Sequence, residues 1–167
     1  MPLCAVKRKV GGSHQVVRAV RLRKRRDPEA RRDPDLLVAD LDDFKTVNDR
    51  FGHQAGDEVL RAFAELLRGR IRGVDLGARL GGEEFAILLP ETDAAGAEAL
   101  AENLREAVAE LVVSFGQHEV QITASFGVAA FPQTHTADEL MTAADLALYS
   151  AKRQGKDRVV SVNPEEA

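Results

Sequence analysis

Cysteine occurs once in this chain, as Cys4, so no intrachain disulfide can form and a reducing compartment, the cytoplasm, is expected. Tryptophan is absent, tyrosine occurs once, and aromatic residues make up 5% of the chain. None of them interleaves with the N-terminal arginines, so stacking on single-stranded nucleic acid lacks its platform. Apolar runs are short: Phe85–Leu89, among the longest, holds five residues, whereas a helix crossing a bilayer needs about 20. The basic N-terminus lacks the apolar stretch of a signal peptide. The 13 glycines follow no fixed period, which excludes collagen. What is present is ordinary for a globular protein: 44% apolar and 30% charged residues in 167. A chain of this size buries about 70% of the surface its unfolded form exposes, so one domain with a core of its own is expected.

The net charge of −4 hides two populations. Residues 1–34 carry eleven Lys/Arg against three Asp/Glu, and residues 35–167 carry twelve against twenty-four. Such a shift marks a boundary. It divides a basic N-terminal segment, 1–34, from a domain over 35–162 and a short C-terminal tail, 163–167. The basic segment reads as a loosely ordered arm, as a short helix packed on the domain, or as a salt-dependent phosphate contact.

The domain follows a mixed order. Leu36–Ala39 predicts a buried strand that ends at Asp40. Phe44 to Phe51 predicts a short helix closed at Gly52. Val59, Leu60, Phe63, Leu66, Leu67 and Ile71 recur at helical spacing and predict a second helix ending near Gly73. Ala78–Leu80 and Phe85–Leu89, around Gly81-Gly82-Glu83-Glu84, predict a hairpin. A long helix from Ala97 to Leu111 follows. Val120, Ile122, Ala124 and Phe126 alternate with polar residues and predict one half-buried strand continuing to Phe131. A helix from Ala137 to Lys152 and a strand at Val159–Val162 close the series. The order β-α-α-β-β-α-β-α-β argues an α+β fold, helices packed on a mostly antiparallel sheet.

The acids gather where these elements meet. Asp40 ends the first strand, Asp42 and Asp43 follow it, and Glu83 and Glu84 sit at the hairpin tip. If the hairpin lies beside the first strand, Asp40 and Glu83 converge and suit a hard cation such as Mg²⁺, which binds one or two carboxylates plus substrate phosphates. Gly81 and Gly82 let a phosphate or base approach the backbone. Lys45, Lys152 and Lys156 suit a polyphosphate. Simpler roles stand beside these: Asp42 or Asp43 can cap a helix, Gly-Gly can be a turn only, and lysines at a helix C-terminus are favoured by its dipole. His53 has no second ligand at metal spacing and reads as a loop or cap residue.

These residues resemble a known family. Gly81-Gly82-Glu83-Glu84-Phe85 resembles the signature of the GGDEF family, the diguanylate cyclases, in its GGEEF form. Asp40 to Lys45, Asn48-Asp49, Phe51-Gly52-His53 and Gly56-Asp57 resemble the family's upstream block. Ser125 to Val128, Ala144-Asp145, Tyr149, Ala151-Lys152 and Gly155 resemble its C-terminal half. The resemblance covers about residues 36–162.

The resemblance implies a palm like that of nucleotide cyclases and condensation of two GTP into cyclic di-GMP plus pyrophosphate. By position, Asp40 and Glu83 would bind Mg²⁺ (Mn²⁺ is possible) with the Leu41 carbonyl. Glu83 would help deprotonate the attacking 3′-hydroxyl, and Glu84 would support the second acidic position. Asn48 and Asp57 would read guanine, while Lys45, Lys152 and Lys156, with Gly81 and Gly82, would hold phosphates. Arg72-x-x-Asp75, ahead of Gly81, resembles the family's inhibitory site for product, with Arg79 as a possible third member. Each subunit holds one GTP, so a homodimer is implied; nucleic acid is not expected as a partner. Three departures accompany the resemblance. The family's Asp-x-Leu-Thr-Gly-Leu-x-Asn-Arg block is not found ahead of Asp40. Asp43 replaces a bulkier residue, and Asn103 stands where some members supply a second inhibitory arginine. The alternative function is therefore a module that binds cyclic di-GMP or GTP without making the product.

Overall fold

The computed structural model describes residues 34–130 and 136–162. The expectations for the basic segment through residue 33, for Phe131 and for the tail after residue 162 lie outside the described residues. The elements are β1 (Asp35–Leu41), α1 (Phe44–Phe51), α2 (His53–Arg70), β2 (Leu76–Gly81), β3 (Glu84–Leu89), α3 (Ala94–Ala109), β4 (Val112–Phe115), β5 (His118–Gln121), β6 (Ala124–Ala129), α4 (Ala137–Arg153) and β7 (Val159–Val162). Five strands form the main sheet in the order β2-β3-β1-β6-β7, and β4 with β5 forms a separate hairpin. The fold is the expected α+β palm: every main-sheet pairing is antiparallel except β6 with β7. Among the described residues no helix is long and apolar enough to cross a membrane.

Strand periodicity separates two cores. Leu37, Ala39 and Leu41 of β1 face one side with Phe85 and Ile87 of β3, beneath α1, α2 and α3. Leu36 and Val38 face the other with Ala86 and Leu88, beneath Leu140, Ala144 and Leu148 of α4. The central strands are thus covered on both faces, which explains their unbroken apolar runs. A capping box starts α4: the Thr136 hydroxyl accepts from Glu139 N–H, and the Glu139 carboxylate accepts from Thr136 N–H. Gly52, at φ 86°, separates α1 from α2.

Two strand expectations need correction. The alternation from Val120 to Phe126 is not one strand. Val120 belongs to β5, paired with β4, and the chain leaves that hairpin before β6 begins at Ala124. Nor is β6 half-buried; all six of its residues are buried, because helices cover both faces. β4 has no separate signal in the sequence, because Leu111 beside it continues the helical spacing of α3. The helices α2 and α3 end at Arg70 and Ala109, short of Gly73 and Leu111.

Candidate active site

The register brings the acids together. β1 pairs with β3 so that Asp40 stands opposite Glu84, and on its other side β6 places Ser125 opposite Asp40. The Leu41 N–H donates to the Glu83 carbonyl at 3.4 Å. Gly81 pairs with Glu84, which leaves Gly82 and Glu83 as the turn, with Gly82 at φ 52°, a backbone that disfavours side chains. A side chain at Gly81 or Gly82 would meet nothing within 4 Å, so the space above both is open. Arg79 Nε donates to the Gly82 carbonyl at 2.8 Å and braces that turn.

Asp40 is the buried member of the group, its side chain 8% exposed, with Lys152 Nζ 2.7 Å from its Oδ2. Burial pushes its carboxyl pKa up, Lys152 pulls it down, and Glu83 and Glu84 push it up again. Asp40 and Glu83 carry carboxylate oxygens and Leu41 a carbonyl oxygen, the donor chemistry a hard cation takes, and the Lys152 ammonium already lies against Asp40. Among the described residues no three His, Cys, Asp or Glu side chains form a self-sufficient metal cluster.

The loop after β1 is tied to the end of α4. Lys156 Nζ meets Asp43 Oδ1 at 2.5 Å. Asp43 occupies the N-cap position of α1 in a left-handed conformation, and its side chain makes no capping bond. Asp42 does not cap either. It is buried, accepts the Ser125 and Thr123 hydroxyls at 2.7 Å each, and accepts the Asp157 N–H at 3.0 Å. Sequence reasoning missed this role because Thr123 and Ser125 lie far along the chain.

Asn48 and Asp57 stand on neighbouring helices. The space above Gly56 explains the juxtaposition: a Cβ there would lie 2.1 Å from Asn48 Oδ1. Asn48 therefore packs over the residue before Asp57. Lys45 is exposed on α1, and His53 is the first residue of α2.

On the opposite face of the sheet, a groove of about 400 Å³ runs between the hairpin and α4, lined by Leu80, Glu84, Asp145, Tyr149 and Lys152 among others. Partial burial and Glu84 push the Asp145 carboxyl pKa up. Arg72 and Asp75 lie in the connection ahead of β2. Asp75 accepts Arg72 Nε at 3.2 Å, Arg72 Nη2 at 3.1 Å and the Arg72 N–H at 2.8 Å, and Thr92 accepts a further bond from Arg72. The Asp75 side chain is 1% exposed and that of Arg72 56%. The described bond of Arg79 goes to Gly82, not to this pair. Asn103 Oδ1 accepts Arg70 Nη1 at 2.5 Å.

Comparison with known proteins matches this assembly. The family model described as diguanylate cyclase, GGDEF domain, matches residues 20–158. The diguanylate cyclase DgcP of Pseudomonas aeruginosa is 46% identical over 124 residues, covering 74% of this chain and 18% of that protein. The response regulator PleD of Caulobacter vibrioides is 42% identical over 127 residues, covering 74% of this chain and 28% of its own length. The chain thus spans less than a third of either relative. Among solved structures, the active GGEEF domain of a diguanylate cyclase from Vibrio cholerae superposes with a TM-score of 0.80 at 34% identity, covering 89% of this chain and 94% of that one. The GGDEF domain of DgcB from Caulobacter crescentus, in complex with c-di-GMP, gives 0.79 at 32% identity, covering 89% and 86%. With its hairpin glycines and acids set beside the end of β1, and with these relatives, the chain belongs to the GGDEF-domain family of diguanylate cyclases.

Proposed function

We propose that this domain condenses two molecules of GTP into cyclic di-GMP, releasing two pyrophosphates. The observation that carries the reading is the register that sets Asp40 opposite Glu84 and Leu41 against the Glu83 backbone at the paired ends of β1 and β3, with Lys152 on Asp40. In the reaction the 3′-oxygen of each GTP attacks the α-phosphorus of the other, once in each direction. The bond to the bridging oxygen breaks, and pyrophosphate leaves. Asp40, Glu83 and the Leu41 carbonyl would hold Mg²⁺ or Mn²⁺, which supplies neutralisation of charge on the attacking and leaving oxygens. Glu83 accepts the 3′-hydroxyl proton, and Glu84 keeps the second acidic position.

Lys152 and Lys156 exchange Asp40 and Asp43 for phosphate oxygens, and Lys45 adds a third cation. Gly81 and Gly82 admit the phosphates to the hairpin backbone. Asn48 and Asp57 bond the guanine edge, so a base with the wrong donors leaves polar groups unpaired. Each subunit holds one GTP and two must face one another; a lone subunit binds nucleotide and turns it over poorly.

The test is turnover of GTP with Mg²⁺ by protein freed of carried-over cyclic di-GMP, read by chromatography. Wild type is expected to form product, and Glu83→Gln to lower the rate about 10²–10⁴-fold with its melting temperature unchanged. Equal rates would overturn the site assignment. A wild type that forms no product would overturn the enzyme reading.

A second reading has its own observation. Asp75, held out of water, fixes an Arg72 guanidinium that remains more than half exposed. Such an arginine is ready to grip a phosphate or a guanine edge bidentately. We assign cyclic di-GMP to Arg72 and Asp75, with Arg79 as the neighbour on β2. It acts as product inhibitor if the domain is a cyclase, and as the bound ligand if the domain does not catalyse.

A further inference from the structure

The turn between α4 and β7 contains three consecutive residues with positive φ: Gly155 at 117°, Lys156 at 63° and Asp157 at 44°. Two of them carry side chains that disfavour this backbone; the Lys156 N–H donates to the Ala151 carbonyl at the end of α4 at 3.1 Å, and contacts from outside the turn add to that hold. Arg105, on α3, donates Nη1 to Asp157 Oδ1 at 2.8 Å. The Asp157 N–H donates to Asp42 Oδ2 at 3.0 Å, and Asp42 also accepts the Thr123 and Ser125 hydroxyls. Lys156, inside the same turn, reaches Asp43. A continuous run of hydrogen bonds therefore joins a helix outside the site to the loop bearing Asp40, Leu41 and Asp43.

Arg105 is suited to the task. Its side chain is 18% exposed, and it meets an Asp157 carboxylate that is 42% exposed, so the bond is anchored on its α3 side and reaches the turn at the surface. Glu102 accepts from both Nε and Nη2, at 2.8 and 2.6 Å, which sets the plane of the guanidinium and aims Nη1 at the turn. None of the three bonds involves a residue of the proposed metal, phosphate or guanine set.

We infer that Arg105 is a positioning residue for the nucleotide site: by holding Asp157 it fixes the turn that presents Lys156 and, through Asp42, the acidic loop after β1. The inference rests on the proposed function only in requiring that this site binds a nucleoside triphosphate.

The test measures binding and needs no turnover. A GTP analogue with a methylene between its α- and β-phosphorus atoms is titrated with Mg²⁺ into the full chain by calorimetry, alongside thermal melting. Arg105→Met is expected to weaken the analogue about tenfold, as loss of an outer support commonly does, and Arg105→Lys to recover part of that loss. Asp157→Gly keeps the N–H to Asp42 and tolerates the left-handed backbone while removing the partner of Arg105. In that background Arg105→Met is expected to cause no further loss. Unchanged affinity in Arg105→Met, or the same loss with and without the Asp157 side chain, overturns the inference. If Arg105→Met does not fold, Asp157→Gly decides: weakened binding supports the inference and unchanged binding overturns it. A folded wild type that fails to bind the analogue overturns the nucleotide-site reading itself.

Discussion

Gly56 sits inside a helix, where glycine costs about 1 kcal/mol relative to alanine, and the Asn48 side chain fills the space its Cβ would need. Gly56→Ala therefore sets a gain in helix propensity against displacement of Asn48 and crowding of the Phe44 ring, whose Cζ would lie 3.0 Å from the new Cβ. The expected outcome is a melting temperature close to wild type and a GTP affinity about tenfold weaker, the worth of a hydrogen bond or two; calorimetry with GTP beside thermal melting checks it. Undiminished affinity would remove Asn48 from the guanine contacts. At this scale the sequence was legible where partners are close in the chain. Asp40, the hairpin glycines and acids, and the Asn48–Asp57 pair stand at recognisable spacings. Asp42 was not legible: its partners Thr123, Ser125 and Asp157 are fixed by strand register and by an irregular turn, and no local periodicity encodes either.

Between elements, α4 approaches β6 backbone to backbone. A Cβ at Gly127 would lie 2.2 Å from the Ala144 carbonyl oxygen and 2.4 Å from the Leu148 nitrogen. Both are helix backbone, so no rotamer change relieves the clash, and α4 must move as a body. Gly127→Ala is expected to destabilise by about 3 kcal/mol, roughly 10 °C in Tm. Denaturant unfolding measures it, and a loss near zero would mean that α4 is not held at this depth. Helix positions were well marked by their apolar spacing, whereas the capping box of α4 emerged only from the structure. The sheet was less so. Val120 and Ile122 continue the alternation into Ala124 and Phe126, although the chain passes from one sheet to another between them. A two-residue period states that a segment is extended; it does not state which strand lies beside it.

Across the whole molecule, one hairpin spans the two proposed sites. Arg72 and Asp75 stand at the foot of β2, and Glu83 and Glu84 follow its tip. Arg72→Ala is expected to weaken cyclic di-GMP about ten- to hundredfold, the worth of charged hydrogen bonds. Calorimetry on protein freed of bound nucleotide decides this, and equal affinity in both proteins would dismiss Arg72 as a contact. The sheet also limits how copies meet. At one edge, β2 is interrupted by a register shift between Arg79 and Gly81; at the other, β7 has four residues. Short or bulged edges are poor templates for another strand. Two copies brought face to face are thus steered away from merging into one continuous sheet. Any such association, which the proposed reaction requires, would be governed by whatever lies between the faces and not by backbone ladders, and would stay reversible.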